Sequence, residues 1–218
     1  MNLFDNSYLF LPQYLSDVDK DALKDELKKF PLDGTKGNIY SYEFIDSQYL
    51  LQGDGIADVE YLSFPDTRIK NLAVIILSNT CDISIENQER RFNDCRILYA
   101  PLIRFDKYEE LLRRNYPEGK DLSRIESHLQ DIKSQFVTQA LYLPKDYNAL
   151  DYDSIVFFDR AISIPLNKHI ANKMCSNRKF SLSNFGFYLF LLKLSIHFTR
   201  IKEKINRNSG EDLGIKKE

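Results

Sequence analysis

Ala73-Val74-Ile75-Ile76-Leu77-Ser78-Asn79-Thr80-Cys81-Asp82 is the stretch that decides how this chain folds. An unbroken apolar run stops abruptly at small polar and reactive side chains, the pattern of a buried strand whose C-terminal edge presents chemistry. The site is expected at that edge.

Upstream, Asn38 to Ile45 has the β-branched and aromatic character of a strand, Gly53-Asp54-Gly55 marks a turn, and Ile56 to Phe64 reads as a strand that Pro65 ends. Further back, Ser16 is a good N-cap for a helix over 16–30, with Val18, Ala22, Leu23, Leu27 and Phe30 near helical spacing. Downstream, a polar loop over 82–94 leads to a strand from Arg96 to Ile103, which Pro101 confines to an edge or bulge. The period then changes. Lys107 to Tyr116 and Asp121 to Gln135 read as a helical hairpin broken at Pro117 and Gly119, its second arm aligning Leu122, Ile125, Leu129, Ile132 and Phe136. Strand character returns over 137–143 and 154–164. A last amphipathic helix is expected from Ser181 as N-cap toward Arg207, with a wide apolar face.

With 218 residues, 43% apolar and 13% aromatic, the chain suffices for one globular domain spanning 1–218. Met1 to Phe10 contains Asp5 and Asn6 with no basic flank, and Phe185 to Phe198 is shorter than a bilayer requires and holds Lys193 and His197. A cytoplasmic protein that uses no membrane is the expectation. Cys81, Cys95 and Cys175 are too few and too irregular for a disulfide framework or a standard zinc site, so reduced thiols are expected. The net charge of −2 conceals an asymmetry of −9 over residues 1–160 and +8 over 161–207. A basic region of this kind attracts phosphates, docks on an acidic surface or forms a solvated face.

The order of short motifs resembles the MazF/PemK toxin barrel: Gly53-Asp54 near a strand start, a hydrophobic strand ending in Leu77-Ser78, a strand ending in Pro101-Leu102, and Ser154 before an apolar strand. The matched blocks cover about a third of the chain, at the level of single-sequence topology reading. The resemblance implies an α+β fold on a small, strongly bent SH3-like or MazF-like β-barrel. Its strands would lie about 38–105 and 137–165, with a helical insertion about 106–136 and the long C-terminal helix about 181–207. It also implies a metal-independent ribonuclease that uses an Arg before the central strand and a hydroxyl after the Pro-containing strand. Here the first position offers Arg68 or Lys70, and the second holds Ile103.

Arg68, Ser78, Cys81 and Asp82 are the candidate catalytic residues, and Lys70, Arg90, Arg91 and Arg96 the candidate contacts to an RNA or DNA backbone. Tyr40, Tyr42 and Tyr61 offer stacking surfaces, or core packing. A thiol beside a carboxylate is a nucleophile only if a base or positive charge activates it, and otherwise packs as a small apolar group. Ser78, Asn79 and Thr80 suit a phosphate or, more simply, local capping. Asp54, Asp58, Glu60 and Asp82 fit no compact metal motif, and neither metal nor cofactor is expected. Two functions follow. One is a toxin-like or host-defence nucleic-acid-associated protein, either an endoribonuclease or a catalytically degenerate relative. The other is a non-enzymatic subunit of a bacterial assembly, joined to a protein partner or a second copy through Phe185, Tyr188, Leu189, Leu192 and Ile196.

Overall fold

The computed structural model describes residues 39–63, 65–84, 95–116 and 119–199, with Val18 and the pairs 205–206 and 211–212. The helix expected over 16–30 therefore lies outside the described residues, Val18 apart. Strand β1 is Tyr40–Ser41, β2 Gly55–Ser63 and β3 Arg68–Ile76; the one-turn helix α1 is Thr80–Ile83, and β4 is Arg96–Pro101. Strand β5 (Ile103–Arg104) leads into the hairpin α2 (Phe105–Asn115) and α3 (Gly119–Lys133). Then follow β6 (Ala140–Leu143), β7 (Ser154–Phe157), a 3₁₀ turn (Phe158–Arg160), β8 (Ile162–Pro165), α4 (Lys168–Ser176), β9 (Arg178–Leu182) and α5 (Asn184–Thr199). A two-stranded antiparallel pair, β10 (Ile205–Asn206) with β11 (Glu211–Asp212), ends the described chain.

Alternation along β3 sets the layers. Val74 and Ile76 point into a cluster with Ile56, Ile97, Tyr99 and, from α4, Ala171, Met174 and Cys175. Ile75 and Leu77 point the other way, into a cluster with Ala100, Phe180 and, from α5, Phe185, Leu189 and Phe190. A strand covered on both faces needs an unbroken apolar run, which is why the sequence shows one. The six strands pair antiparallel in the order β1-β9-β2-β3-β4-β8, and a second sheet has the order β5-β7-β6.

Two bent strands join the sheets. Leu102 keeps β4 attached to β3 through its N–H to Ala73 O (2.8 Å), and Ile103 then pairs with Ile155 in the second sheet. The 3₁₀ turn likewise carries β7 into β8, dividing what the sequence suggests as one strand over 154–164. Within β2–β3 the register shifts between Ile56 and Val59, and Asp58 takes a φ of 55°. This bulge frees the Ala57 N–H to donate to Asn177 O at 2.9 Å.

The fold is α+β, as expected, but the sheets do not close into a barrel among the described residues. Strand β1 is only two residues long, and the chain beyond it turns away instead of continuing as a strand to Ile45. The edges β1 and β8 remain unpaired with each other. The helical hairpin falls where its period places it. The C-terminal helix starts later than expected: Ser181 lies in β9, and the Ser183 hydroxyl accepts from Gly186 N at 3.1 Å as the cap of α5. That helix is apolar on all sides rather than amphipathic, as a helix packed within a core should be. Among the described residues no helix is long and apolar enough to cross a membrane.

Lys193 is the exception inside α5. Its side chain is fully buried, and Nζ donates to Gln135 O (2.7 Å) and Val137 O (2.9 Å) in the turn between α3 and β6. Gln135 occupies the left-handed region (φ 61°) and uses its own amide on both backbone groups of Tyr142. Burial pushes the Lys193 ammonium down to about 7. The unfolded chain therefore binds more protons than the folded one between about 7 and the ordinary lysine value of about 10.4, and stability rises with pH across that window. A neutral amine still has two N–H donors for the two carbonyls. The urea midpoint of the native protein is expected to climb from pH 7 to 10 relative to Lys193→Met; parallel curves would refute this assignment.

Candidate functional site at the end of the central strand

Gly53 (φ 88°) turns the chain beneath the end of β3, donating its N–H to Ile76 O (2.9 Å), while Ile76 N–H returns to Asp54 O (3.0 Å). Gly55 must lack a side chain, because a Cβ there would lie 2.2 Å from the Phe180 ring. This geometry sends the Asp54 carboxylate inward. Its Oδ2 accepts from Arg178 Nε (2.8 Å) and Leu51 N–H (2.9 Å), and its Oδ1 from the Ser181 hydroxyl (2.6 Å). Both charged side chains are fully buried. Burial pushes the Asp54 carboxyl up, and the Ser181 hydroxyl, the Arg178 charge and the Leu51 N–H oppose it.

The rest of the guanidinium holds a loop. Arg178 Nη1 donates to Phe44 O (2.5 Å) and Ser47 O (2.8 Å), and Nη2 donates to Tyr49 O. The Cys175 thiol, raised by burial, donates to Gln48 O at 3.4 Å. Residues 44–51 thus form one wall of a cleft of about 580 Å³. The second wall is α1 with Ser84, where the Asn79 side chain caps Cys81 N–H (2.9 Å) and Thr80 Oγ1 accepts from Gln52 N–H (3.0 Å). The third is the first turn of α4, through Lys168, Ala171 and Asn172. The lining is mainly apolar, with Phe44 and Tyr49 half-exposed at the mouth.

The cleft therefore lies at the edge where the sequence places a site, but the anticipated catalytic group does not assemble there. Ser78 Oγ accepts from Leu98 N–H at 2.7 Å and serves the sheet. Cys81 and Asp82 are exposed on α1, and the Asp82 carbonyl accepts from the Cys95 thiol at 3.4 Å. Arg68 and Lys70 stand at the opposite end of β3, whose nine residues span about 26 Å. Arg96 lies on the sheet face of Leu98 and Ala100, clamped to Ser163 Oγ (3.0 Å) and Ser163 O (2.8 Å). Arg90 and Arg91 lie outside the described residues. Asn79 caps α1, Thr80 accepts from Gln52 N–H, and the carboxylates weighed as a metal set do not converge: among the described residues no acidic, His and Cys side chains cluster to hold an ion.

The five α5 residues expected to dock a partner are turned inward or half-covered. Phe185, Tyr188, Leu189 and Leu192 are buried in the chain's own core and Ile196 is half-buried, because both sheets and the 3₁₀ turn surround α5. Arg178 and Lys168, which the sequence reading passed over, are the residues that shape the cleft. Comparison with known proteins returns no match, either to a family model or to a curated relative.

Removing one partner of a buried ion pair strands the other charge, at a cost of about 3–5 kcal/mol. Arg178→Met is expected to lower the urea-derived unfolding free energy by that order and to speed amide exchange across 44–51. Asp54→Asn combined with Arg178→Met should cost much less than the sum of the two singles. Additive losses would show that the two residues act independently.

Proposed function

We propose that the chain works by binding rather than by bond cleavage, as a non-enzymatic subunit that takes an apolar segment of a protein partner in the cleft between residues 44–51, α1 and α4. The observation carrying this reading is the cleft's lining, mainly apolar in surface and without His, Cys, Asp or Glu, so its hydroxyls at Ser47, Thr80 and Ser84 have no carboxylate, imidazole or thiolate in the lining to activate them. Its volume suits a few side chains, and half-exposed aromatics at its mouth are typical of protein interfaces. The docking surface is then this cleft and not α5.

Selection of randomised displayed peptides on the full-length protein tests the reading. Asn172→Trp, which fills the cleft from an exposed position, and Phe44→Ala with Tyr49→Ala are each expected to weaken selected peptides about tenfold or more, a difference of about 1.4 kcal/mol. End-labelled single-stranded RNA should stay intact with magnesium and with chelator. Absence of cleft-sensitive peptides overturns the reading, as does RNA cleavage that disappears in Cys81→Ala or Arg68→Ala.

A second reading, nucleic-acid association of the MazF/PemK kind without cutting, rests on a different surface. The strand pairing sets Lys70 opposite Tyr61 and Arg68 opposite Ser63, so two exposed cations and an aromatic ring share one sheet face. Under this reading Arg68→Glu with Lys70→Glu abolishes gel retention of single-stranded RNA at low salt and flattens its salt dependence. Retention unchanged by the pair, or absent from the native protein, overturns it.

A further inference from the structure

Resting on the cleft reading above, we infer that the bound segment carries a carboxylate next to its apolar side chains, and that Lys168 at the mouth of the cleft receives it.

Lys168 is the one charged residue in the lining, which contains no acid to neutralise it. It is exposed, and among the described residues it makes no ion pair. Its position runs against local electrostatics. Lys168 is the first residue of α4, where the helix dipole favours an anion over a cation, and the first turn of α4 has no acidic residue. Asn167 caps the helix by accepting from Ile170 N–H at 2.9 Å, so the helix is formed normally despite the misplaced charge. A local rule broken without compensation inside the molecule points to compensation from outside it. An incoming carboxylate relieves the ammonium and the helix terminus together, while the apolar walls over Phe44, Leu50 and Ile83 take the neighbouring side chains. A basic segment would meet repulsion from both positive ends.

The occupant is a protein segment rather than a small acid, because the half-exposed Phe44 and Tyr49 extend the apolar surface beyond the cleft, onto ground that only a larger partner covers.

Peptide selection on the native protein is expected to enrich sequences that place Asp or Glu beside aromatic or aliphatic residues, with affinity falling as salt rises. Lys168→Glu suits the helix terminus and leaves the fold intact. It should weaken those peptides about tenfold or more and, in a fresh selection, enrich Lys or Arg in their place. If selected peptides are blocked by Asn172→Trp yet lack acidic residues, or bind Lys168→Glu unchanged, the carboxylate inference fails and the cleft reading stands. If no selected peptide responds to Asn172→Trp, the cleft reading fails and the inference falls with it.

Discussion

Everything about the end of the central strand depends on burying one ion pair, Asp54 with Arg178, entirely away from water. A buried pair of this kind gives little net stability over apolar side chains of similar size, since desolvation consumes most of the attraction. Its effect is on geometry. A planar guanidinium with five donors in a fixed fork can serve a carboxylate along one edge and backbone carbonyls along the others, which the flexible ammonium of lysine cannot do. Here that fork ties β9 to the turn before β2 and to the loop 44–49, both more than a hundred residues earlier in the chain. The loop has no strand ladder to satisfy its carbonyls, so the guanidinium supplies the donors that burial requires.

Lys193 repeats this solution on the other side of the molecule. There the irregular segment is the turn over 135–137, and a buried cation again donates to carbonyls that no helix or sheet uses. The difference is in the counter-charge. Arg178 has a carboxylate 2.8 Å away, and Lys193 is held by neutral carbonyls alone, which is why burial can move it so far from its ordinary value. At one site the cation faces a carboxylate, and at the other the ammonium can lose its proton without losing its hydrogen bonds.

The elements legible in the sequence are those whose pattern is local. Strand β3 shows its burial on both faces as an apolar run, and the hairpin α2–α3 shows a helical period bounded by Pro117 and Gly119. Strand β9 was illegible for the opposite reason: Arg178-Lys179-Phe180-Ser181-Leu182 buries an arginine and a serine, and what makes that possible is a carboxylate more than a hundred positions earlier. No window over β9 contains its cause. Helix α4 is short, and its Asn167 cap is a weak signal by itself. The apolar content of α5 was evident, but the step from apolar face to docking face failed because the second sheet, which covers it, is built from strands whose bends at Leu102 and at Phe158–Arg160 have no signature in single-residue propensities.

The polar run after β3 shows the same limit from the side of function. Ser, Asn, Thr, Cys and Asp beyond a buried strand suggest reactive chemistry, yet three of them stand in for missing strand or helix partners. Ser78 receives Leu98 N–H, Asn79 caps α1, and Thr80 receives Gln52 N–H. A buried ladder that stops must satisfy the backbone groups it abandons, and short polar side chains are the nearest available acceptors. Beside Thr80, the cleft is faced by Ile83 and Ser84, by residues of the 44–51 loop, and by Lys168, Ala171 and Asn172 of α4. Three of the five polar side chains at this edge are engaged in ending the strand, and Cys81 and Asp82 stand exposed beyond them.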